Sequence, residues 1–257
     1  MSSSNKLALQ VKGLRVGFID TDGNLQVLEN INLSVEENAF VCLIGPSGSG
    51  KSTLLRTLSG LIEPTAGEII FGAHHDQRPQ TGLVFQQPNL MPWRTLEANI
   101  RLPLELEGLP KPEIDQRTRE VIELAGLSGF EKSYPHELSG GMAQRVAICR
   151  SLVQDPEILL LDEPFGQLDA LTRDKMGEEL LRIWTEKQKT VLMVTHSIPE
   201  AVYLADRVLV LTQRPANISL ELDIPLPRPR NETMRYSSEF VALSSCLHAE
   251  LSENLER

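Results

Sequence analysis

Residues 45–52 read Gly45, Pro46, Ser47, Gly48, Ser49, Gly50, Lys51 and Ser52, a full match to the pattern of a glycine-rich turn closed by a lysine and a hydroxyl residue. Glycines at such places let successive backbone N–H groups turn inward around phosphate oxygens, and the N-terminus of a following helix adds favourable partial charge. Lys51 is then placed to reach the β- and γ-phosphates of a nucleoside triphosphate, Ser52 to offer an oxygen to Mg2+, and Thr53 to add a hydrogen bond to a phosphate. The competing reading is a glycine-rich turn with a chance lysine. Further along, the apolar run Ile158–Leu161 ends in Asp162 and Glu163. A carboxylate at a buried strand end suits a Mg2+ ion held through water, and the acid beside it suits polarising a water for attack on the γ-phosphate. Taken alone, the pair is an acidic strand end before a proline-containing turn; taken with the phosphate loop, it completes the parts of a phosphoryl-transfer site. Between the two motifs lies Leu138-Ser-Gly-Gly-Met142.

These residues need elements to hold them. Phe40–Ile44 reads as a strand running straight into the glycine-rich turn, and Leu54, Leu55, Leu58 and Leu61 mark one face of the helix after it. Pro64 and Gly67 end that segment, and Glu68–Phe71 reads as strand again. Upstream, apolar residues alternate at Leu7, Leu9 and Val11, then at Leu14, Val16 and Phe18, with a turn at Asp20–Asn24. Prolines 88, 92, 103, 110 and 112 interrupt the following region, in which Gln116–Ala125 has the spacing of an amphipathic helix. Roughly 88–150 reads as a mainly helical insertion. A helix from about Gly140 to Val153 places Met142, Val146, Cys149 and Val153 on one face, and Trp184 with its neighbouring leucines reads as helix core. Ile158–Leu161, Val191–Val194 and Val208–Leu211 are short continuous apolar strands. Such strands, separated by helices, indicate an α/β fold with a parallel sheet covered on both faces. Pro225–Arg230 reads as an extended linker with Arg228 and Arg230 as solvated charges, and Phe240, Leu247, Leu251 and Leu255 follow at near-helical spacing.

The composition, 257 residues with 41% hydrophobic and 23% charged, fits one large α/β domain or a core with a subdomain. No apolar run approaches the roughly 18–20 residues of a spanning helix. Met1–Lys6 has no apolar signal core, so a cytoplasmic location is expected. Cys42, Cys149 and Cys246 are odd in number and form no CxxC pair, which favours reduced core cysteines. A formal charge of −10 argues against nucleic acid as a partner but leaves docking on a membrane protein open. His74 and His75, without ligands at metal spacing, read as surface, and His136 as a residue leading into a helix.

In this order the motifs resemble the nucleotide-binding subunit of ATP-binding cassette transporters over roughly residues 7–215. The resemblance implies a P-loop NTPase core with a mainly parallel sheet, an N-terminal antiparallel β subdomain and a helical subdomain inserted after Gln86. Residues 1–225 would form that ATPase domain, with the helical subdomain at about 88–150, and 226–257 a linker and helical tail. ATP and Mg2+ are the implied cofactors. In the family, two subunits sandwich two ATP molecules head to tail, so Ser139, Gly140 and Gly141 would face the γ-phosphate held by the opposite subunit. A helix N-terminus carrying a serine and two glycines is physically a sound anion site. Gln144 also fits the pattern. Gln86, after Val84-Phe85, resembles the glutamine that senses Mg2+ and the attacking water and couples to the membrane subunit, with Gln87 as second choice. His196 resembles the switch histidine of the γ-phosphate. Asp169 resembles the dimer-contact aspartate, although Gln167 stands where the family more often has a small residue. Phe18 either stacks on adenine, as the family's aromatic does, or belongs to a strand core.

The Pro-Trp step within Gln87–Asn99, the Tyr134–Gly141 stretch and the Pro-Arg-Pro-Arg step resemble the subgroup serving nitrate, sulfonate, taurine and related small solutes, including thiamine-precursor pyrimidines. That resemblance implies a peripheral importer ATPase on the cytoplasmic side of the membrane. Its partners would be integral-membrane permease subunits, a second identical ATPase subunit and, indirectly, a periplasmic or extracellular solute-binding protein. An exporter ATPase, a soluble cassette protein of ribosomes or DNA repair, and a regulator without turnover are the alternatives. Against the soluble class, the chain has neither a second phosphate loop nor a long coiled-coil insertion.

Overall fold

The computed structural model of the chain describes residues 6–20, 23–72 and 79–256. In chain order its elements are β1 (Leu7–Asp20), β2 (Gly23–Glu36), β3 (Phe40–Ile44), α1 (Lys51–Ser59) and β4 (Ala66–Phe71), then β5 (Thr81–Val84), α2 (Leu96–Glu107), α3 (Lys111–Leu124), α4 (Gly140–Leu152), β6 (Ile158–Asp162) and α5 (Ala170–Lys187), and finally β7 (Thr190–Val194), α6 (Ile198–Leu204), β8 (Arg207–Leu211), β9 (Ile218–Asp223) and α7 (Ser238–Glu256). They fall into two units, one of Met1–Pro79 with Lys189–Arg257 and the other of Gln80–Gln188. His74, His75 and part of the Asp20–Asn24 turn lie outside the described residues.

The first unit contains an antiparallel sheet in the order β2-β1-β4. Leu9, Val11, Leu14 and Val16 of β1 are all buried. The change of phase between Val11 and Leu14 in the sequence is a register shift in the β1–β2 ladder, with Gly13 at a φ of +58°. In the same unit β3 lies between β7 and β8, parallel to both, and β9 adds antiparallel to β8. Every residue of β3 and β7 is buried, as expected for strands covered on both faces. The Asp206 carboxylate accepts the Phe40 N–H at 2.8 Å and so fixes the start of β3.

The helix after the phosphate loop is shorter than its leucine spacing suggests. Gly60 ends α1 in the left-handed region at a φ of 85°, so Leu54, Leu55 and Leu58 are buried while Leu61, beyond the cap, is 63% exposed.

The C-terminal segment also departs from expectation. Pro225–Arg230 is not a solvated linker: Ile224 and Leu226 are buried, and Arg230 is only 9% exposed. Arg230 donates to the carbonyls of Tyr203 at 2.8 Å, Val202 at 3.2 Å and Ile224 at 3.4 Å, and Arg228 donates to Asp206 at 2.7 Å and to the Leu204 carbonyl at 2.8 Å. The physical reason is that the last carbonyls of α6 have no intrahelical donors, and two guanidiniums supply them. Burial, followed by the charge of Arg228, lowers the Arg230 pKa to about 10, so the group stays protonated at neutral pH. Phe240 and Leu247 of α7 are buried, and Arg235 stacks over the Tyr203 ring 4.0 Å from its centroid. Cys246 is exposed, in contrast to buried Cys42 and Cys149, because it lies on the outer face of α7.

The second unit pairs β5 and β6 in parallel, from Thr81 with Ile158 to Val84 with Leu161. The expected helical stretch is α2, α3 and α4. Two of its prolines lie inside helices instead of breaking them. Pro103 is within α2, and Pro112 occupies the first turn of α3, where a missing N–H costs nothing, so α3 starts at Lys111 ahead of the expected Gln116. Among the described residues no helix is long and apolar enough to cross a membrane.

Candidate nucleotide-binding site

The phosphate-loop residues occupy the turn from β3 into α1 in the first unit. Lys51 Nζ donates to the carbonyls of Gly45 at 2.9 Å and Pro46 at 2.8 Å, and the Ser49 N–H closes back on Pro46 at 3.2 Å. Ser52 and Thr53 follow in the first turn of α1. The glycines here do more than permit unusual dihedrals. A β-carbon on Gly45 would stand 2.9 Å from the Leu211 carbonyl oxygen, and one on Gly50 (φ +107°) would stand 2.8 Å from Val27 and 2.9 Å from Leu28. The loop is thus pressed against β2 and the end of β8, with no room for side chains at those places. In the same unit, His196 follows β7, exposed, between buried Thr195 and the N-cap Ser197, whose N–H donates to Thr195 Oγ1 at 3.0 Å. Phe18 is 40% exposed near the end of β1, which removes the strand-core alternative for its ring.

The second unit carries the acidic pair and the serine–glycine motif. Asp162 ends β6 almost fully buried. Glu163 has a φ of +46°, a left-handed conformation that costs a non-glycine residue roughly 1–3 kcal/mol and concentrates at functional sites. Gln86 Nε2 donates to Glu163 Oε2 at 3.2 Å. Gln86, rather than Gln87, is therefore the glutamine brought to the acid. A β-carbon on Gly166 would lie 3.3 Å from that carboxylate and 3.4 Å from Gln86 Nε2, so the absent side chain leaves room for the contact. Ser139 is the N-cap of α4, its hydroxyl accepting the Met142 N–H at 3.3 Å. Gly140 and Gly141 form the first turn of that helix, where Leu168 and Thr172 approach to 3.4 and 3.2 Å of where β-carbons would be. Gln144 reaches the Phe85 carbonyl at 3.5 Å, which ties the helix to the residue before Gln86. Asp169 caps α5, and hydrogen bonds from the Thr172 side chain and backbone hold its carboxyl below the usual aspartate range. His136 sits in a one-turn helix, Pro135–Glu137, stacked on Tyr134 with centroids 5.9 Å apart.

Two residues that organise this unit are not evident in the sequence reading. Asn99 is fully buried, accepts the Met91 N–H at 2.7 Å and donates to the carbonyls of Arg94 and Thr95 at 3.0 Å and Met91 at 3.2 Å. Arg150 donates to the Pro88 carbonyl at 2.8 Å and the Asn89 carbonyl at 2.9 Å. Together they fix 88–95, which presents Trp93 with 73% of its surface exposed. The available signal was a lone asparagine between Leu96 and Ile100 on an otherwise apolar helix face.

The family model described as ABC transporter matches residues 28–166 of this chain. The chain belongs to the ABC transporter family. Within it, the aliphatic sulfonates import ATP-binding protein SsuB of Bacillus cereus is 46% identical over 217 residues, 84% of this chain and 85% of its own length. The nitrate import ATP-binding protein NrtD of Synechocystis sp. is 44% identical over 237 residues, 90% of this chain and 89% of its own. Among solved structures, a dimeric ATP-binding cassette in a post-hydrolysis state bound to ADP and phosphate is 33% identical, with a TM-score of 0.73, covering 85% of this chain and all of that one. The P-loop NTPase fold of an ABC ATP-binding subunit, with its antiparallel sheet and parallel strands, is therefore established for this chain. ATP binding and ATPase activity come with the family.

Proposed function

We propose that this ABC subunit hydrolyses ATP to drive uptake of a small solute through a separate membrane permease, working as one of two identical subunits. Residues 45–53 hold the phosphates of ATP, with Lys51 on the β- and γ-phosphates and Phe18 against the adenine. Ser52, Asp162 and Gln86 present only oxygen donors, a set that suits Mg2+. When bound, that ion neutralises charge on the β- and γ-oxygens. Glu163 polarises the attacking water, and His196 contacts the γ-phosphate. Ser139, Gly140 and Gly141 complete the site of the second copy, with Asp169 at the subunit contact.

The observation that supports coupling to a partner is the Gln86–Glu163 hydrogen bond. It links the proposed base to the segment 88–95, whose exposed Trp93 is the natural place for a permease to dock at the membrane's cytoplasmic face. A displacement of that segment reaches the carboxylate through one side chain. Relatives named as sulfonate and nitrate import ATP-binding proteins favour a small oxyanion-bearing solute, and in this reading a separate solute-binding protein delivers it.

Glu163→Gln tests the assignment. ATP binding should be kept, steady-state hydrolysis should fall by roughly 100-fold or more, and an ATP-bound dimer should accumulate in size-exclusion chromatography. Hydrolysis at the wild-type rate would remove Glu163 as the base.

A further inference from the structure

Arg214 lies between β8 and β9, outside every motif named above and outside the 28–166 stretch matched to the family. Its guanidinium rests on the phosphate loop: a β-carbon placed on Gly48, whose φ is +75°, would stand 2.9 Å from Arg214 Nη2. Among the described residues this exposed side chain makes no hydrogen bond or ion pair. The turn that carries it, by contrast, is firmly held on both sides of Arg214. The Thr212 N–H donates to the Asn217 carbonyl at 3.0 Å, the Asn217 N–H to Thr212 Oγ1 at 3.0 Å, the Ala216 N–H to the Val27 carbonyl at 2.9 Å, and the Glu29 N–H to the Ala216 carbonyl at 2.8 Å. On the other side Gln213 Nε2 reaches the Leu255 carbonyl at 3.3 Å.

An uncommitted guanidinium on a fixed backbone, parked at the bend of a phosphate loop, has the chemistry of a second phosphate-binding cation. Guanidinium N–H groups match phosphate oxygens in pairs and make charge-assisted hydrogen bonds with them. Lys51 is differently placed, turned into the carbonyls of the loop itself.

We propose that Arg214 is a nucleotide-binding residue, pivoting from its rest on Gly48 to a phosphate of the ATP held by residues 45–53. The proposal rests on that reading of the loop. Its ligand is a nucleoside di- or triphosphate, and the contribution grows with the charge of the phosphate chain.

The test is equilibrium binding of N-methylanthraniloyl derivatives of ATP, ADP and AMP, with Mg2+, to the full chain kept dilute enough to be monomeric. Arg214→Ala should weaken ATP binding roughly three- to tenfold, ADP less and AMP hardly at all. Added salt should shrink the deficit, because the site is open to solvent. Arg214→Lys should recover part of the loss and Arg214→Gln none, with thermal melting unchanged in all three. Lys51→Ala is the reference. If it leaves ATP binding intact, the reading of residues 45–53 fails and this proposal with it. If Lys51→Ala abolishes binding while Arg214→Ala binds like wild type, Arg214 alone is excluded. Weakened dimerisation with unchanged monomer affinity also overturns the proposal and assigns Arg214 to the subunit contact.

Discussion

On a regular extended strand Asp162 and Glu163 would project to opposite faces of the sheet. The left-handed turn at Glu163 breaks that alternation just where β6 ends, so adjacent carboxylates need not take opposite faces. The motifs of the candidate site were legible in the sequence because the loop, the acidic pair and the serine–glycine motif are each encoded by residues a few positions apart. Asn99, Arg150, Arg214 and Arg230 were not legible, since three of them act on backbone carbonyls and the fourth on a glycine, groups that leave no pattern in side-chain type. Thiol reactivity follows the same residue-level logic. Burial raises the Cys42 thiol well above its ordinary value and pushes Cys149 up to about 12, which suppresses the thiolate, whereas Cys246 is exposed. Titration of the folded chain with an aromatic disulfide at pH 8 should therefore show one fast cysteine, abolished by Cys246→Ser, and two more only on unfolding.

Continuous apolar runs made β3, β6, β7 and β8 readable, because strands buried on both faces have little choice of residue. β2 and β9 gave weaker signals. β9 alternates half-buried and exposed positions along its whole length, with Ile218, Leu220 and Leu222 its only apolar residues. The prolines of the helical stretch misled for a related reason: one at a first turn starts a helix as readily as one elsewhere ends it. The element most dependent on a single side chain is the segment before α2. Asn99→Ala would remove the side-chain partners of the Met91 N–H and the Arg94 carbonyl, and one of the two donors to the Met91 carbonyl, which keeps the Arg94 N–H, while leaving the α2 backbone intact. The expected cost is about 2–4 kcal/mol in urea unfolding, with faster proteolysis confined to residues 88–95. A loss below about 0.5 kcal/mol would show that the segment is held by other means.

Across the whole chain, the largest departure from expectation is the C-terminal stretch, which belongs to the same unit as β3, β8 and α6. Its arginines looked like solvated charges because a proline-rich run of mixed residues carries no sign of the carbonyls it will meet. Arg230→Met keeps the apolar stem but leaves the Val202 and Tyr203 carbonyls without their donor. It should lower stability by about 2–4 kcal/mol, seen as a lower thermal midpoint, whereas Arg119→Met on the exposed side of α3 should change it by less than about 0.5 kcal/mol. The split of the chain also sets an order on the ribosome. The 80–188 unit is a continuous stretch and has all its strands and helices once Gln188 is made. The other unit has its first 79 residues early, yet β3 has neither neighbour until β7 and β8 are synthesised, and the α6 carbonyls wait for residue 230. The inserted unit can thus fold first, while the segment bearing the phosphate loop, though translated earlier, stays incomplete until β7, β8 and Arg230 have been made.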